Sequence, residues 1–341
     1  MLSLTYQEKY LILIGLYKMF EKQYKWLVTG CAGFIGSHLT EFLLKNNQIV
    51  TGLDNFLTGF QENLDEVISN LDNSQKNNFT FIEGDITSFE TCSNVTKDID
   101  FILHQAALGS VPRSIDLPID SHSNNVTGFI NILKAAVDNN VKHLVYASSS
   151  SVYGDHPQLP KVESEIGNLL SPYAATKRMN ELYADVFNKV YNLHITGLRY
   201  FNVFGPRQNP KGAYAAVIPR WIEKIQNSET IEIYGDGENS RDFCYIENAV
   251  DANIKAAFSN SSTHEVYNIA LNDKTTLNEL YQKIASLMEK EVTPKYTAPR
   301  EGDILHSHAN IDKAKTNLNY EPKIKIDKGL EKTINWFKEN L

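Results

Sequence analysis

In the stretch "SPYAATK" a tyrosine and a lysine stand four residues apart, Tyr173 and Lys177. Ser171 is a good N-cap and Pro172 suits a first helical position, so a helix is expected to start here. Tyr173 and Lys177 then share one helical face. An isolated tyrosine, with a pKa near 10, is a poor base at neutral pH. A neighbouring ammonium, or a positively charged cofactor ring, stabilises the phenolate and lowers that pKa. The spacing alone also arises by chance, as a tyrosine packed beside a solvated lysine. Its company gives it weight. The stretch "YASSSSVYGD" lies upstream, a serine-bearing strand end whose Ser149 stands 24 residues before Tyr173.

A second constellation is Gly30-Cys-Ala-Gly33-Phe-Ile-Gly36. The three glycines allow a tight turn, close approach to a pyrophosphate, and close strand–helix packing. The following helix N-terminus offers free N–H groups to that phosphate. Asp54 follows Gly36 by 18 residues at the end of the next strand. A carboxylate there bonds the adenosine ribose and repels a 2′-phosphate, which predicts NAD rather than NADP. In "GDI", Asp85 is placed to meet the adenine amino group.

These residues need a particular scaffold. Short apolar strands ("KWLVTG", "QIVTGLDN", "NFTFIEGD", "DFILHQAA", "KHLVYASS", "LHITGLRY") alternate with helical stretches such as "NNVTGFINILKAAVDNN". The expectation is an α/β fold: a Rossmann-type doubly wound parallel sheet with a smaller mixed C-terminal substrate domain. Residues 25–200 plus about 241–270 would form the NAD-binding part, and 201–240 plus about 271–341 the sugar-binding part. After Tyr200 the pattern becomes irregular. "TIEIYGDGENSRDFCYI" reads as two short strands around a Gly-Asp-Gly turn, and Thr276-x-x-Glu279 as a capping box opening a helix with Leu280, Ile284 and Leu287 on one face.

With these motifs in hand, the chain resembles the extended short-chain dehydrogenases/reductases, and among them the UDP-hexose 4-epimerases. The resemblance runs from about Lys25 through "TGCAGFIGSH", "LDN", "GDI", "HQAALGSVPRS", "NNVTG", "ASSSSVYGD", "SPYAATK", "LRYFNVFGPRQ", "GDGENSRDFCYI" and "REGD". "HQAALGSVPRS", "FGPRQNPKGAYAAVIP" and "SRDFCYIEN" are most similar to bacterial UDP-N-acetylglucosamine 4-epimerases that supply surface polysaccharide. The resemblance implies bound NAD contacting Gly30, Gly33, Phe34, Ile35 and Gly36 in the glycine turn. Asp54, Asn55, Thr58 and Gly59 follow, then Asp85 and Ile86. Gln105, Ala106, Ala107 and Asn124 come next, and Ser148, Tyr173, Lys177, Tyr200 and Val203 complete the set. Lys177 would hold the nicotinamide ribose and tune Tyr173, and the Ser149 hydroxyl would bond the 4-oxygen of the sugar. For the UDP-sugar it implies Gly109, Ser110, Ser149, Ser150, Ser151 and Tyr173, with Asn202, Gln208, Ala216 and Val217 further on. Arg241 and Arg300 would grip phosphates, where a planar guanidinium suits the geometry. Ser307 stands at a gate position, where a small residue leaves space for a 2-acetamido group. Leu305 departs from the Arg that relatives carry in "GDILHS".

Chemistry separates neighbouring activities. A 4,6-dehydratase also eliminates water and carries an acidic pair after the active-site Ser/Thr; Ser150 and Ser151 occupy that place. The implied reaction is therefore C4 epimerisation through a transient 4-keto sugar, with UDP-glucuronate 4-epimerisation as the alternative. A non-enzymatic NAD sensor would have no need of both Tyr173 and Lys177, and a plain oxidoreductase would accumulate NADH.

Composition sets the outer bounds. The chain has 341 residues, 42% hydrophobic and 22% charged, with net charge -8, which speaks against nucleic acid or an anionic membrane as partner. Cys31, Cys92 and Cys244 are too dispersed for a disulfide framework or a zinc site, so no metal is expected and a cytoplasmic location is. "YLILIGLY" (10–17) is too short to span a bilayer, which takes about 20 residues; it reads as a packed N-terminal helix or a partner contact within an extension over 1–24. The resemblance also implies a homodimer through a four-helix bundle formed by "NNVTGFINILKAAV" and "YAATKRMNELYADVF".

Overall fold

The computed structural model describes residues 20–211, 214–298 and 305–340. The N-terminal apolar run and Arg300 lie outside them. Seven strands form one sheet: β1 (Lys25–Thr29), β2 (Ile49–Asp54), β3 (Phe79–Glu83), β4 (Phe101–His104), β5 (His143–Ser149), β6 (His194–Tyr200) and β7 (Glu265–Ile269). All neighbours pair in parallel, in the order β7-β6-β5-β4-β1-β2-β3. The chain direction along the sheet reverses between β1 and β4, and ligand sites of such sheets lie outside the strand ends at that point.

Alternation along the strands explains the two-faced core. Trp26, Val28, Phe101, Leu103 and Val145 enter one apolar cluster, while Leu27, Ile102, Leu144 and Tyr146 enter the other. A strand buried on both faces has no polar side to show, which is why these segments read as continuous apolar runs. Helix Gly128–Asp138 covers one face with Phe129, Ile132 and Leu133. Helices Phe34–Lys45 and Ile246–Ala257 cover the other. That second cluster continues without a break through Trp221 and Ile225 to Ile334 and Phe337, so the C-terminal elements share a core with the sheet.

The irregular region differs from its sequence reading in one respect. Glu232–Tyr234 and Ser240–Arg241 are strands on either side of the Gly-Asp-Gly turn, but they do not pair with each other. Glu232–Tyr234 pairs with Lys295–Thr297, and Ser240–Arg241 with Thr275–Thr276. Cys244–Tyr245 pairs with Val203–Phe204. Each strand is so short that tertiary neighbours, not the turn, choose its partner. The capping box is formed in full between Thr276 and Glu279 at the start of helix Leu277–Met288, a feature typically worth about 1 kcal/mol.

Candidate active site

The glycine turn sits where β1 meets helix Phe34–Lys45. Gly30 has φ +72°, and a Cβ on it would lie 2.8 Å from the Ala106 amide nitrogen. A Cβ on Gly36 would come within 2.0 Å of the Gly30 carbonyl oxygen. Both positions therefore exclude any side chain. No side chain caps the helix that follows, so its amide dipoles end at a cleft of about 340 Å³. Gly30, Gly33, Phe34, Ile35, Gly36, Asp54, Asn55, Thr58, Ile86, Gln105, Ala106, Ala107 and Asn124 line it, as does Gly109, which was expected at the substrate. An uncapped helix end and a carboxylate facing one elongated cleft suit a dinucleotide: phosphate at the helix, ribose at the acid.

Asp54 also builds the turn it serves. Its carboxylate accepts from the Ala32 amide at 2.9 Å and the Phe56 amide at 2.9 Å. Burial raises its pKa, against these hydrogen bonds. Gly59 stands behind it, where a Cβ would lie 3.0 Å from the Asp54 oxygen. Asp85 is held indirectly, accepting from Asn55 at 2.9 Å and the Thr87 amide at 2.7 Å. Burial would raise Asp85, but hydrogen bonds from Thr87 and Asn55 bring it below its ordinary value.

Helix Pro172–Tyr191 starts where the sequence places it. Ser171 Oγ accepts from the Ala174 amide at 3.1 Å. Ser114 Oγ accepts from the Tyr173 amide at 2.9 Å, a contact that no local pattern signals. Tyr173 and Ser149 line the same cleft; the Ser149 hydroxyl favours the phenolate and lowers the Tyr173 pKa, yet burial dominates and raises it. The Lys177 ammonium lies 5.9 Å from the centre of the Tyr173 ring and donates to the Ala147 carbonyl at 2.8 Å. Burial pulls Lys177 down to about 8.

Ser148 departs from its expected place. Strand alternation turns its side chain opposite to that of Ser149, and its hydroxyl donates to Glu181 at 2.7 Å. Glu181 is paired twice with Arg199, at 2.8 and 2.9 Å, beneath the serine turn. Both charges are almost wholly buried. Ser148 therefore belongs to this foundation rather than to the cofactor surface.

A second cleft of about 500 Å³ adjoins the first, Gly109 lining one and Ser110 the other. Ser149, Ser150, Ser151, Tyr173, Tyr200, Asn202, Arg241 and Ser307 line it with Ser110. Ser110 holds φ +105° and Asn202 φ +34°, backbone states that non-glycine residues rarely adopt and that cluster at functional sites. Arg241 donates to the Leu305 carbonyl at 3.1 Å, tying the exposed Leu305 segment to this wall. Val203, Gln208, Ala216 and Val217 line neither cleft. Gln208 donates to the Val203 carbonyl at 3.2 Å, and Ala216 and Val217 begin helix Val217–Gln226.

The sequence reading missed Lys161 and His306, which line the second cleft. It also missed three buried asparagines. Asn125 holds Leu108 through both its backbone amide and carbonyl. Asn253 closes a ring with Gln105 and Tyr200, one residue from each cleft. Asn268 joins Tyr153, Lys161 and Asn310. Among the described residues no cluster of His, Cys, Asp and Glu could hold a metal, and no helix is long and apolar enough to cross a membrane.

The pattern of the NAD dependent epimerase/dehydratase family matches residues 26–270. The chain belongs to that family. Its cofactor is NAD. A solved structure of UDP-N-acetylglucosamine 4-epimerase from Methanobrevibacter ruminantium M1, in complex with UDP-N-acetylmuramic acid, is 40% identical and superposes with a TM-score of 0.87, covering 94% of this chain and 100% of that one. UDP-glucose 4-epimerase from Thermotoga maritima, solved with UDP-glucose, is 33% identical with a TM-score of 0.86, over 93% of this chain and 99% of that one. UDP-glucuronate 4-epimerase of Thermodesulfobacterium geofontis is 35% identical over 319 residues, 93% of this chain and 97% of the relative. These family members share a C4 epimerase description and differ in the sugar.

Proposed function

We propose that the protein interconverts the C4 epimers of UDP-N-acetylhexosamines, UDP-GlcNAc and UDP-GalNAc, as an isomerase feeding surface polysaccharide synthesis. One observation carries this reading. Among the described residues the second cleft gathers Tyr173 and Ser149 with further serines and the cations Lys161 and Arg241, with no carboxylate in its lining. Elimination of water needs a further acid–base pair; epimerisation needs only the one.

Tyr173 takes the proton of the 4-hydroxyl while Ser149 bonds the 4-oxygen. Bound NAD supplies reversible hydride transfer at C4, and its positive ring favours the Tyr173 phenolate. The 4-keto sugar turns about its link to the diphosphate, and Tyr173 returns the proton once the opposite face is presented. Arg241 and Lys161 offer positive charge to the diphosphate, and Ser307 leaves room for the 2-acetamido group. The same two cations favour UDP-glucuronate as the second reading.

The homodimer is proposed on an exposed apolar stripe. Helix Pro172–Tyr191 presents Met179, Leu182, Tyr183, Val186 and Val190 outward, and Ile115, Leu117 and Ile119 are exposed nearby. Helix Gly128–Asp138 directs most of its apolar residues inward.

The deciding experiment is an NMR time course of the purified protein with UDP-GlcNAc, UDP-glucose and their uronates. UDP-GalNAc should form without net NADH accumulation. Tyr173→Phe should retain NAD and lose about a hundredfold or more in rate. Net NADH production, or activity surviving in Tyr173→Phe, would refute the mechanism.

A further inference from the structure

Two walls of the second cleft come from distant parts of the chain. The serine turn, with Ser149, Ser150 and Ser151, forms one. The segment carrying Ser307 forms the other. In a site that recognises the sugar on one wall and reacts at C4 on the other, the separation of the walls decides which sugar reacts well.

Asn268, near the end of β7, is fully buried, and its side chain bonds Tyr153, which follows the serine wall, and Lys161 and Asn310, beside the Ser307 wall. Its Oδ1 accepts from the Tyr153 hydroxyl at 2.6 Å. Tyr153 closes the short helical turn Ser150–Tyr153 that follows Ser149. Its Nδ2 donates to the Lys161 carbonyl and to the Asn310 carbonyl, both at 3.0 Å. Lys161 and the 308–310 segment are themselves zipped together: the Lys161 amide donates to the His308 carbonyl at 2.7 Å, and the Asn310 amide to the Lys161 carbonyl at 2.9 Å. Its own backbone amide donates to Glu163 at 2.8 Å. Only a side-chain amide can accept from a hydroxyl and donate to two carbonyls at once. Aspartate keeps the shape and the acceptor but loses both donors. Apolar residues of similar size lose all three bonds.

We infer that Asn268 is a positioning residue for sugar recognition, setting the distance between the serine turn and the Ser307 segment. This rests on the proposed epimerase reading and adds the element that holds its specificity. The Asn268 side chain bonds neither the glycine turn nor the helix that carries Tyr173 and Lys177, so cofactor retention is separate from its effect.

The test compares wild type, Asn268→Asp and Tyr153→Phe with UDP-GlcNAc and UDP-glucose, following kcat, KM, retained NAD and the thermal midpoint. Asn268→Asp is expected to raise KM about tenfold for the sugar that wild type prefers, with kcat changed by less than about threefold, so the preference between the two sugars narrows. Tyr153→Phe, which removes one bond of the three, should shift the preference in the same direction by less, and serves where Asn268→Asp does not fold. An unchanged preference in both variants overturns the proposal. So does an equal loss on both sugars accompanied by falling NAD retention, which marks a merely structural role. Failure of the parent reading looks different: wild type then makes no UDP-GalNAc, while the preference it does show still reports on Asn268.

Discussion

Lys177 donates to the Ala147 carbonyl at the end of β5, and this bond, not one to Tyr173, fixes its ammonium. The lysine stands beside the tyrosine ring as a charge and not as a hydrogen-bond partner to the phenol. Burial lowers Lys177 to about 8, so its charge is present below that pH and lost above it. Turnover should fall as pH rises through about 8. Lys177→Arg keeps the charge and should move that alkaline limb upward in a pH profile of kcat. An unmoved limb would assign it to another group.

Asp54 holds the turn through the Ala32 and Phe56 amides, and we propose that it also holds the NAD ribose. Asp54→Ala should weaken NAD about tenfold to a hundredfold, the range for losing charge-assisted hydrogen bonds. Fluorescence titration of the stripped protein measures this. Unchanged affinity would remove Asp54 from the cofactor site.

Ser307 lines the cleft as a small residue. Ser307→Tyr should suppress turnover of UDP-GlcNAc about tenfold more than that of UDP-glucose, because the added ring occupies the acetamido space. Paired kcat/KM values decide it, and equal losses would reject the gate.

Glu181 and Arg199 form a buried pair under the serine turn. Glu181→Leu leaves the guanidinium without its partner and should cost about 3–5 kcal/mol in urea unfolding. Burial would raise Glu181, but the hydrogen bonds and charge of Arg199 lower it overall. Its folded pKa lies below its unfolded one, so its contribution is present above the ordinary carboxylate range and lost as pH falls through the folded value. The gap between wild type and variant should therefore close in acid. A gap that persists there would show that packing, not the ion pair, is responsible.

Leu182 lies on the exposed stripe of helix Pro172–Tyr191. Leu182→Asp should shift the protein from dimer to monomer in sedimentation analysis while leaving the thermal midpoint of the monomer close to wild type. A wild-type protein that is already monomeric would end the dimer proposal.

The sequence exposed those parts of the fold that depend on local order. Strands buried on both faces must be apolar throughout, so β1, β4, β5 and β6 were visible as runs, while the partly exposed edge strand β3 showed through its Phe79, Phe81 and Ile82. The glycine turn and the Ser171-Pro172 helix start were visible because backbone geometry restricts which residues fit. Asn125, Asn253 and Asn268 were invisible for the opposite reason. Asn253 meets Gln105 across 148 residues and Asn268 meets Lys161 across 107. A single polar residue inside an apolar helix or strand has no period and no neighbour to announce it. Ser148 misled because four identical serines show no direction until strand alternation assigns one. The short strands around the Gly-Asp-Gly turn misled because two or three residues hold too little local preference to select a partner.

The substrate cleft, at about 500 Å³, is the roomier of the two that meet at Gly109 and Ser110. On the proposed reaction it must admit a sugar in two opposite orientations, so it cannot grip either epimer closely at C4. Such an enzyme has no means of favouring its product. The ratio of the two UDP-sugars is a property of the sugars themselves, and direction comes from whichever transferase withdraws one of them.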